Sequence, residues 1–169
     1  MMTKDYDVII VGGGPAGIFA ALELIQRTGK ILIVEKGKSL TERSCPSKQR
    51  HIPCAKCQPC SIVCGWGGAG AFSDGKLTLS SEVGGFLDEY IAKDRLHKMI
   101  RYVDDLYLRF GAPDKVYGED EEKVAEIAKK ALRADLRLIP SRIRHLGSGR
   151  TIEVLQAMKD HLEEKGVDV

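Results

Sequence analysis

Apolar positions recur along this chain in two spacings. Val8, Ile9, Ile10 and Val11 form one unbroken run and Ile31 to Val34 another. Short apolar runs of this kind predict strands of a parallel sheet covered on both faces. Between them Ile18, Ala21, Leu22 and Ile25 repeat at helical spacing and predict a helix ending near Gly29. Strand, helix and strand make one βαβ unit. Further on, Leu87, Ile91, Leu96, Met99, Ile100, Val103, Leu106, Tyr107 and Phe110 predict one helix, or two with a break near Lys93, ending at Gly111. A second helix is expected from about Asp120 to Ala134, with acidic residues at its start and Lys129, Lys130 and Arg133 near its end, as the macrodipole favours. Leu136, Leu138 and Ile139 before Pro140 predict a short strand. Thr151 opens a last helix, with Ile152, Leu155, Met158 and Leu162 on one side and Gly166 at its end. Val167 to Val169 reads as the opening of a further strand.

The connection inside the βαβ unit carries the first chemistry. Gly12, Gly14 and Gly17 fill the three positions of G-x-G-x-x-G. The first glycine permits a tight turn, the second lets a pyrophosphate approach the backbone, and the third lets the helix pack closely on the strand. Pro15 suits the first helical turn, where a missing N–H costs nothing. Ala16 follows it, among N–H groups that lack intrahelical partners and favour an anion. Glu35 ends the second strand at the position where an acid meets a ribose hydroxyl, with Lys36 beside it. The alternative is a tight turn with no ligand. The combination of strand, glycines, helix, strand and acid favours a dinucleotide.

Composition narrows the class. The chain has 169 residues, 43% hydrophobic and 30% charged, with a net charge of +2. That suits a globular core and argues against bulk attraction to nucleic acid. No apolar run approaches the roughly 20 residues of a membrane span. Met1-Met2-Thr3-Lys4-Asp5 leads straight into a strand, unlike a secretory leader, so a cytoplasmic protein is expected.

The five cysteines all lie between Cys45 and Cys64. Clustering of this kind points to metal or redox chemistry. Cys54, Cys57, Cys60 and Cys64 spell C-x-x-C-x-x-C-x-x-x-C, the spacing of bacterial ferredoxins. In that pattern a remote Cys-Pro completes the first cluster, and Cys45-Pro46 is available for it. The expected ligands of an iron–sulfur centre are therefore Cys45, Cys54, Cys57 and Cys60, with Cys64 as the alternative fourth. A zinc staple, a redox disulfide and unliganded thiols remain open. The surrounding stretch, with Lys36, Lys38, Arg43, Lys48, Arg50 and His51, has no regular period and reads as a long surface loop. Its basic residues are expected to form a solvated face, with a second anion site as the alternative. Gly70 to Lys76 fits G-x-x-x-x-G-K, but Leu77 stands where a magnesium-holding hydroxyl is required, so a nucleotide triphosphatase is rejected. Arg142, Arg144, His145 and Arg150 are either a solvated face or an anion-binding cluster.

Gly12-Gly13-Gly14-Pro15-Ala16-Gly17, with Val34-Glu35-Lys36, resembles the amino-terminal FAD-binding unit of glutathione-reductase-like flavoproteins. Cys57-Gln58-Pro59-Cys60-Ser61-Ile62, followed by Gly65 to Leu77, is similar to a narrower group, the NAD(FAD)-utilising dehydrogenases. The resemblance covers nearly the whole chain but only the amino-terminal part of such an enzyme. It implies FAD rather than NAD at the glycine turn, NAD(P) as an electron partner in the complete protein, and a later segment of the same protein. It also implies that the glycine-rich segment covers the pyrophosphate and flavin through Gly67, Gly68, Gly70, Ala71, Ser73 and Asp74.

The expected fold is α/β: a Rossmann-like FAD/NAD(P)-binding βαβ unit with a helical insertion, as an incomplete domain. One partial domain over 1–169 is expected, with a Cys/Gly-rich loop at 37–79 and a helical segment at about 86–135. The expected function is that of an FAD-dependent, dehydrogenase-like oxidoreductase acting on a small molecule, with no nucleic acid or membrane partner. No residue qualifies as a catalytic acid or base. The alternatives are an iron–sulfur electron-relay module on a Rossmann scaffold, and an inactive fragment of a larger flavoprotein.

Overall fold

The structure is a computed structural model that describes residues 5–169. The opening Met1 to Lys4, part of the stretch read above as unlike a leader, lies outside the described residues. The chain forms two compact units. The first comprises residues up to Ser73 together with Ser148–Val169, and the second is Asp74–Gly147.

In the first unit, β1 (Val8–Val11) and β2 (Ile31–Val34) pair in parallel, with Val8 opposite Ile31 and Val11 opposite Val34. The helix α1 (Pro15–Leu24) connects them, with Pro15 in its first turn. The chain returns to this sheet at its last residues. Asp168 lies parallel to β2 on the side away from β1, donating its N–H to the Ile31 carbonyl at 3.0 Å and accepting the Ile33 N–H at 2.8 Å. The α5 helix (Ser148–Glu164) leads into that strand segment, as the expected last helix and strand require. Ile18, Ala21 and Leu22 of α1, Ile31 and Ile33 of β2, and Val154, Leu155, Met158 and Leu162 of α5 make the core.

One expectation is corrected here. The apolar run of β1 suggested a strand covered on both faces, yet Ile9 is 60% and Val11 87% exposed. With Val34, which faces Val11 across the ladder, they form an apolar sheet face that no other described element covers. Continuous apolarity reports what a strand can bury, not what lies beside it.

The long loop after β2 is more ordered than its lack of periodicity suggested. It contains the short helix α2 (Pro46–Arg50) and a 3₁₀ turn (Gly68–Phe72). Every residue from His51 to Pro59 is exposed.

The second unit is not simply helical. It holds a three-stranded antiparallel sheet in the order β3 (Lys76–Thr78), β5 (Ile143–His145), β4 (Val116–Tyr117). A 3₁₀ turn (Leu87–Glu89) precedes α3 (Lys93–Arg109), the break expected near Lys93, and α4 (Glu121–Leu132) follows β4. The Asp120 carboxylate caps α4 by accepting the Lys123 N–H at 3.0 Å. The strand expected at Leu136 to Ile139 is irregular, and the strand forms after Pro140 instead. The reason is pairing: Arg144 has neighbours on both sides, Leu77 and Val116. No described helix is long and apolar enough to cross a membrane.

Candidate dinucleotide-binding site

Three glycines shape the turn between β1 and α1, each through a different constraint. Gly12 has φ +106°, a left-handed conformation that side chains strain, and its N–H extends the sheet by donating to the Val34 carbonyl at 2.8 Å. A Cβ at Gly17 would collide with the Gly12 carbonyl oxygen, so close packing of α1 on the turn requires glycine there. Gly14 differs from both. Its φ of −80° suits any residue, and a Cβ built on it meets nothing within 4 Å. The space it leaves lies at the N-terminus of α1. The first intrahelical bond runs from the Ile18 N–H to the Gly14 carbonyl at 3.0 Å. The Ala16 and Gly17 N–H groups precede it and have no intrahelical acceptor, the arrangement that favours an anion at a helix N-terminus.

Glu35 stands at the end of β2 and binds backbone on three sides. Its Oε2 accepts the Gly13 N–H at 2.7 Å, and its Oε1 accepts the Gly37 N–H at 2.8 Å and the Gly65 N–H at 3.0 Å. Burial alone pushes this carboxyl up. The three N–H bonds outweigh that and, with Lys36, hold it below the ordinary carboxylate range. An ionised carboxylate offers about four lone-pair sites. Glu35 therefore retains one such site, and its larger work is to join the glycine turn to the loop that follows.

That loop is held from behind by Arg43. The expectation of a solvated basic face fails at this residue, which is 5% exposed. Its guanidinium donates to four carbonyl oxygens: Nε to Ser61 at 2.8 Å, Nη1 to Trp66 at 2.7 Å, and Nη2 to Ile62 and Gly68 at 2.8 Å each. It also lies over the Phe72 ring, 4.6 Å from the centroid. Burial pushes the guanidinium below its ordinary value, while Glu35, Cys64 and Cys60 act in the opposite direction. Trp66 completes the contact with the turn. It is buried against Gly13 and donates its indole N–H to the Leu155 carbonyl at 2.8 Å. Neither Arg43 nor Trp66 stood out in the sequence. Arg43 shares its composition with the exposed lysines and arginines around it, and no spacing marks it.

The residues expected to cover the cofactor divide. Gly67 donates its N–H to the Gly13 carbonyl at 2.7 Å and is buried against Leu155, so it clamps the turn rather than offering a donor. Ala71 is fully buried and belongs to the core. Gly68 comes up against Gly14 and Pro15, and Gly70 is open. Of the set, Gly68 is the member placed beside Gly14, and Gly70 is solvent-exposed. Ser73 turns its hydroxyl to the Gly70 carbonyl at 2.8 Å. Asp74 belongs to the second unit, where it pairs with Lys76 at 2.7 Å. Lys36 is exposed.

The cysteines are not gathered. All five are free, and among the described residues no group of three or more His, Cys, Asp or Glu side chains is placed to hold a metal ion. Cys54 and Cys57 point from the exposed 51–59 segment, whereas Cys60 and Cys64 lie one turn apart near Arg43, with the Cys64 N–H on the Cys60 carbonyl at 2.8 Å. Cys45, expected as the remote ligand, precedes α2. The Lys48 backbone N–H holds its thiol below the ordinary value, although the contact falls short of a formed cap. Ligand spacing alone does not bring thiols together when the segment carrying two of them has no packing partner.

Comparison with known proteins agrees with this geometry. Residues 6–101 match the family model described as pyridine nucleotide-disulphide oxidoreductase. An uncharacterized protein of Clostridium beijerinckii is 32% identical over 139 residues, covering 82% of this chain and 23% of that protein. A dihydrolipoyl dehydrogenase of Acholeplasma laidlawii is 51% identical over 35 residues, 21% of this chain and 10% of that enzyme. The chain thus spans less than a quarter of the length of these relatives. By the match over residues 6–101, this chain belongs to the pyridine nucleotide-disulphide oxidoreductase family, whose members bind FAD and NAD(P).

Proposed function

We propose that the first unit binds FAD along the glycine turn and serves as the FAD-binding portion of a dehydrogenase-like oxidoreductase. The observation that carries this reading is the open space at Gly14. Gly12 and Gly17 are glycine because the fold forces them to be, while a Cβ at Gly14 would meet no protein atom within 4 Å. A glycine with no internal reason to be one, at the N-terminus of a helix, fits a pyrophosphate lying against the backbone. Ala16 and Gly17 supply N–H donors, and Glu35 keeps one acceptor for the adenosine ribose. Gly68 bounds the site next to Pro15. FAD, once bound, supplies hydride or electron transfer through its isoalloxazine, and the protein's part is to hold and orient it. The choice of FAD over NAD rests on the flavoprotein resemblance.

The reading of the chain as one portion of a larger flavoprotein has two supports. It spans less than a quarter of its relatives' length, and the Ile9 and Val11 face of the sheet is uncovered. The iron–sulfur relay has the C-x-x-C-x-x-C spacing in its favour and no gathered ligand set.

Titration of the chain with FAD, followed through quenching of Trp66, tests the proposal. Saturable quenching by FAD, with NAD weaker, is the expected result. No flavin uptake, or NAD binding more tightly than FAD, would overturn it.

A further inference from the structure

We propose that the second unit carries a ligand site of its own, a cleft around Ser141 that takes a small zwitterion of the amino-acid or short-peptide class. The cleft has a volume of about 610 Å³, inside the ~300–1,000 Å³ range of small-molecule sites. Its walls come from four stretches of one unit: the segment after β3, one face of α3, the end of β4 with the turn into α4, and the approach to β5. It owes nothing to the dinucleotide site, all of whose parts belong to the first unit.

The deepest charges in this cleft are already matched. Arg144 and Asp104 are paired through two hydrogen bonds, Nε to Oδ1 and Nη2 to Oδ2 at 2.8 Å, with side chains 4% and 16% exposed. That bidentate pair is structural, and it leaves recognition to the groups above it. One of them is Ser141. Its hydroxyl oxygen is buried and has no hydrogen-bond partner among the described residues. A buried hydroxyl without a partner is unfavourable, so a small shift of the cleft wall that lets a ligand atom reach this oxygen would be favoured. Gly118, at φ +84°, lets the opposite wall come close, because a Cβ there would strike the Ser141 carbonyl oxygen.

The remaining charges decide the ligand class. Arg101 and Arg142 line the cleft with two positive charges, and Glu82, Glu119 and Glu121 with three negative ones. All five are exposed, and none has an ion pair or a side-chain hydrogen bond among the described residues, unlike the buried Arg144 and its partner Asp104 in the same cleft. A free phosphate or dicarboxylate would meet three unpaired carboxylates, and a polyamine would meet two unpaired guanidinium groups. Like-charge juxtaposition of either kind disfavours such ligands. A molecule with both a carboxylate and an ammonium group satisfies both sets. The Ser141 hydroxyl, donor and acceptor at once, can join either end.

The test is calorimetric titration of the whole chain with the lysyl-glutamate dipeptide, alongside inorganic phosphate and spermidine. Saturable dipeptide binding is expected, with Arg142→Gln and Glu119→Gln each weakening it about tenfold, as loss of a charge-assisted hydrogen bond does. Ser141→Ala should weaken it as well. Thermal midpoints of the three variants, measured in parallel, confirm that each remains folded. No saturation by the dipeptide, tighter binding of phosphate or spermidine, or a dipeptide affinity that all three folded variants leave unchanged would overturn the proposal.

Discussion

The Gly13 backbone N–H donates to Glu35 Oε2 at 2.7 Å, tying the turn after β1 to the end of β2. The same carboxylate reaches Gly37 and Gly65, so one side chain joins strand, turn and loop. Its ionised form is the one that these three donors stabilise. A group whose pKa is depressed on folding contributes stability above its unfolded pKa and loses it as the pH falls through the folded value. Glu35→Gln, which cannot accept all three bonds, should therefore be less stable than the parent above about pH 5, with the gap closing as the pH falls through and below the ordinary carboxylate range. Denaturant midpoints read from Trp66 fluorescence at several pH values would show it. A gap that does not change with pH would mean the carboxylate's charge is irrelevant.

The glycines of the turn should separate by phenotype. Gly14→Ala meets open space at an ordinary φ, so the fold should survive while FAD affinity drops about tenfold or more. Gly17→Ala forces a methyl group into the Gly12 carbonyl and should cost about 1–3 kcal/mol of stability, as overpacking does. Equal losses of stability in the two variants would argue that Gly14 has only a structural role.

Arg43 is expected to control the order of the glycine loop. Arg43→Met leaves four carbonyls without their donor, a loss on the order of 3 kcal/mol. Trp66 emission should shift red, because the backbone that carries the indole is released. Arg43→Lys keeps the charge but not the planar fork, so it should recover only part of the stability. Full recovery by lysine would show that charge alone is required.

In the second unit, Asp104→Asn should destabilise residues 74–147 by about 3 kcal/mol, since it strips a buried arginine of its countercharge. Amide hydrogen exchange would locate the effect. Protection lost across β3, β4 and β5 is the expected pattern, and unchanged exchange there would refute it.

Cys45 should remain reactive at a pH where a free thiol has become inert, because the Lys48 N–H favours its thiolate. Alkylation rate against pH, followed by peptide mapping, gives the profile. A midpoint at or above that of a free thiol would contradict the assignment.

Much of the first unit could be read without a structure. The runs Val8 to Val11 and Ile31 to Val34, the helical repeat between them and the three glycines define a βαβ turn through local rules, since strand period, helix period and φ requirements all act over a few residues. The helices of the second unit were legible for the same reason: apolar spacing placed α3, and the acids after Gly118 placed the start of α4. The small sheet was not. Strands of two or three residues carry almost no period of their own, and β5 exists because β3 and β4 flank it.

Tertiary structure also decided what the loop residues do. Arg43 reads like its exposed basic neighbours, and only the inward carbonyls of Ser61, Ile62, Trp66 and Gly68 make it a buried anchor. Gly67 and Ala71 sit in the same glycine-rich run as Gly68 and Gly70, yet packing against α5 and the core took the first pair, while Gly68 lies beside Gly14 and Gly70 is exposed. The cysteine spacing named a ligand set that the backbone does not assemble, because His51 to Pro59 is exposed throughout. Short-range sequence determined the dinucleotide turn, since each of its demands is met by a residue type at a fixed offset. Contacts between segments far apart in the chain decided everything else about the site, since a donor or an apolar side chain acquires its role only from what the fold places against it.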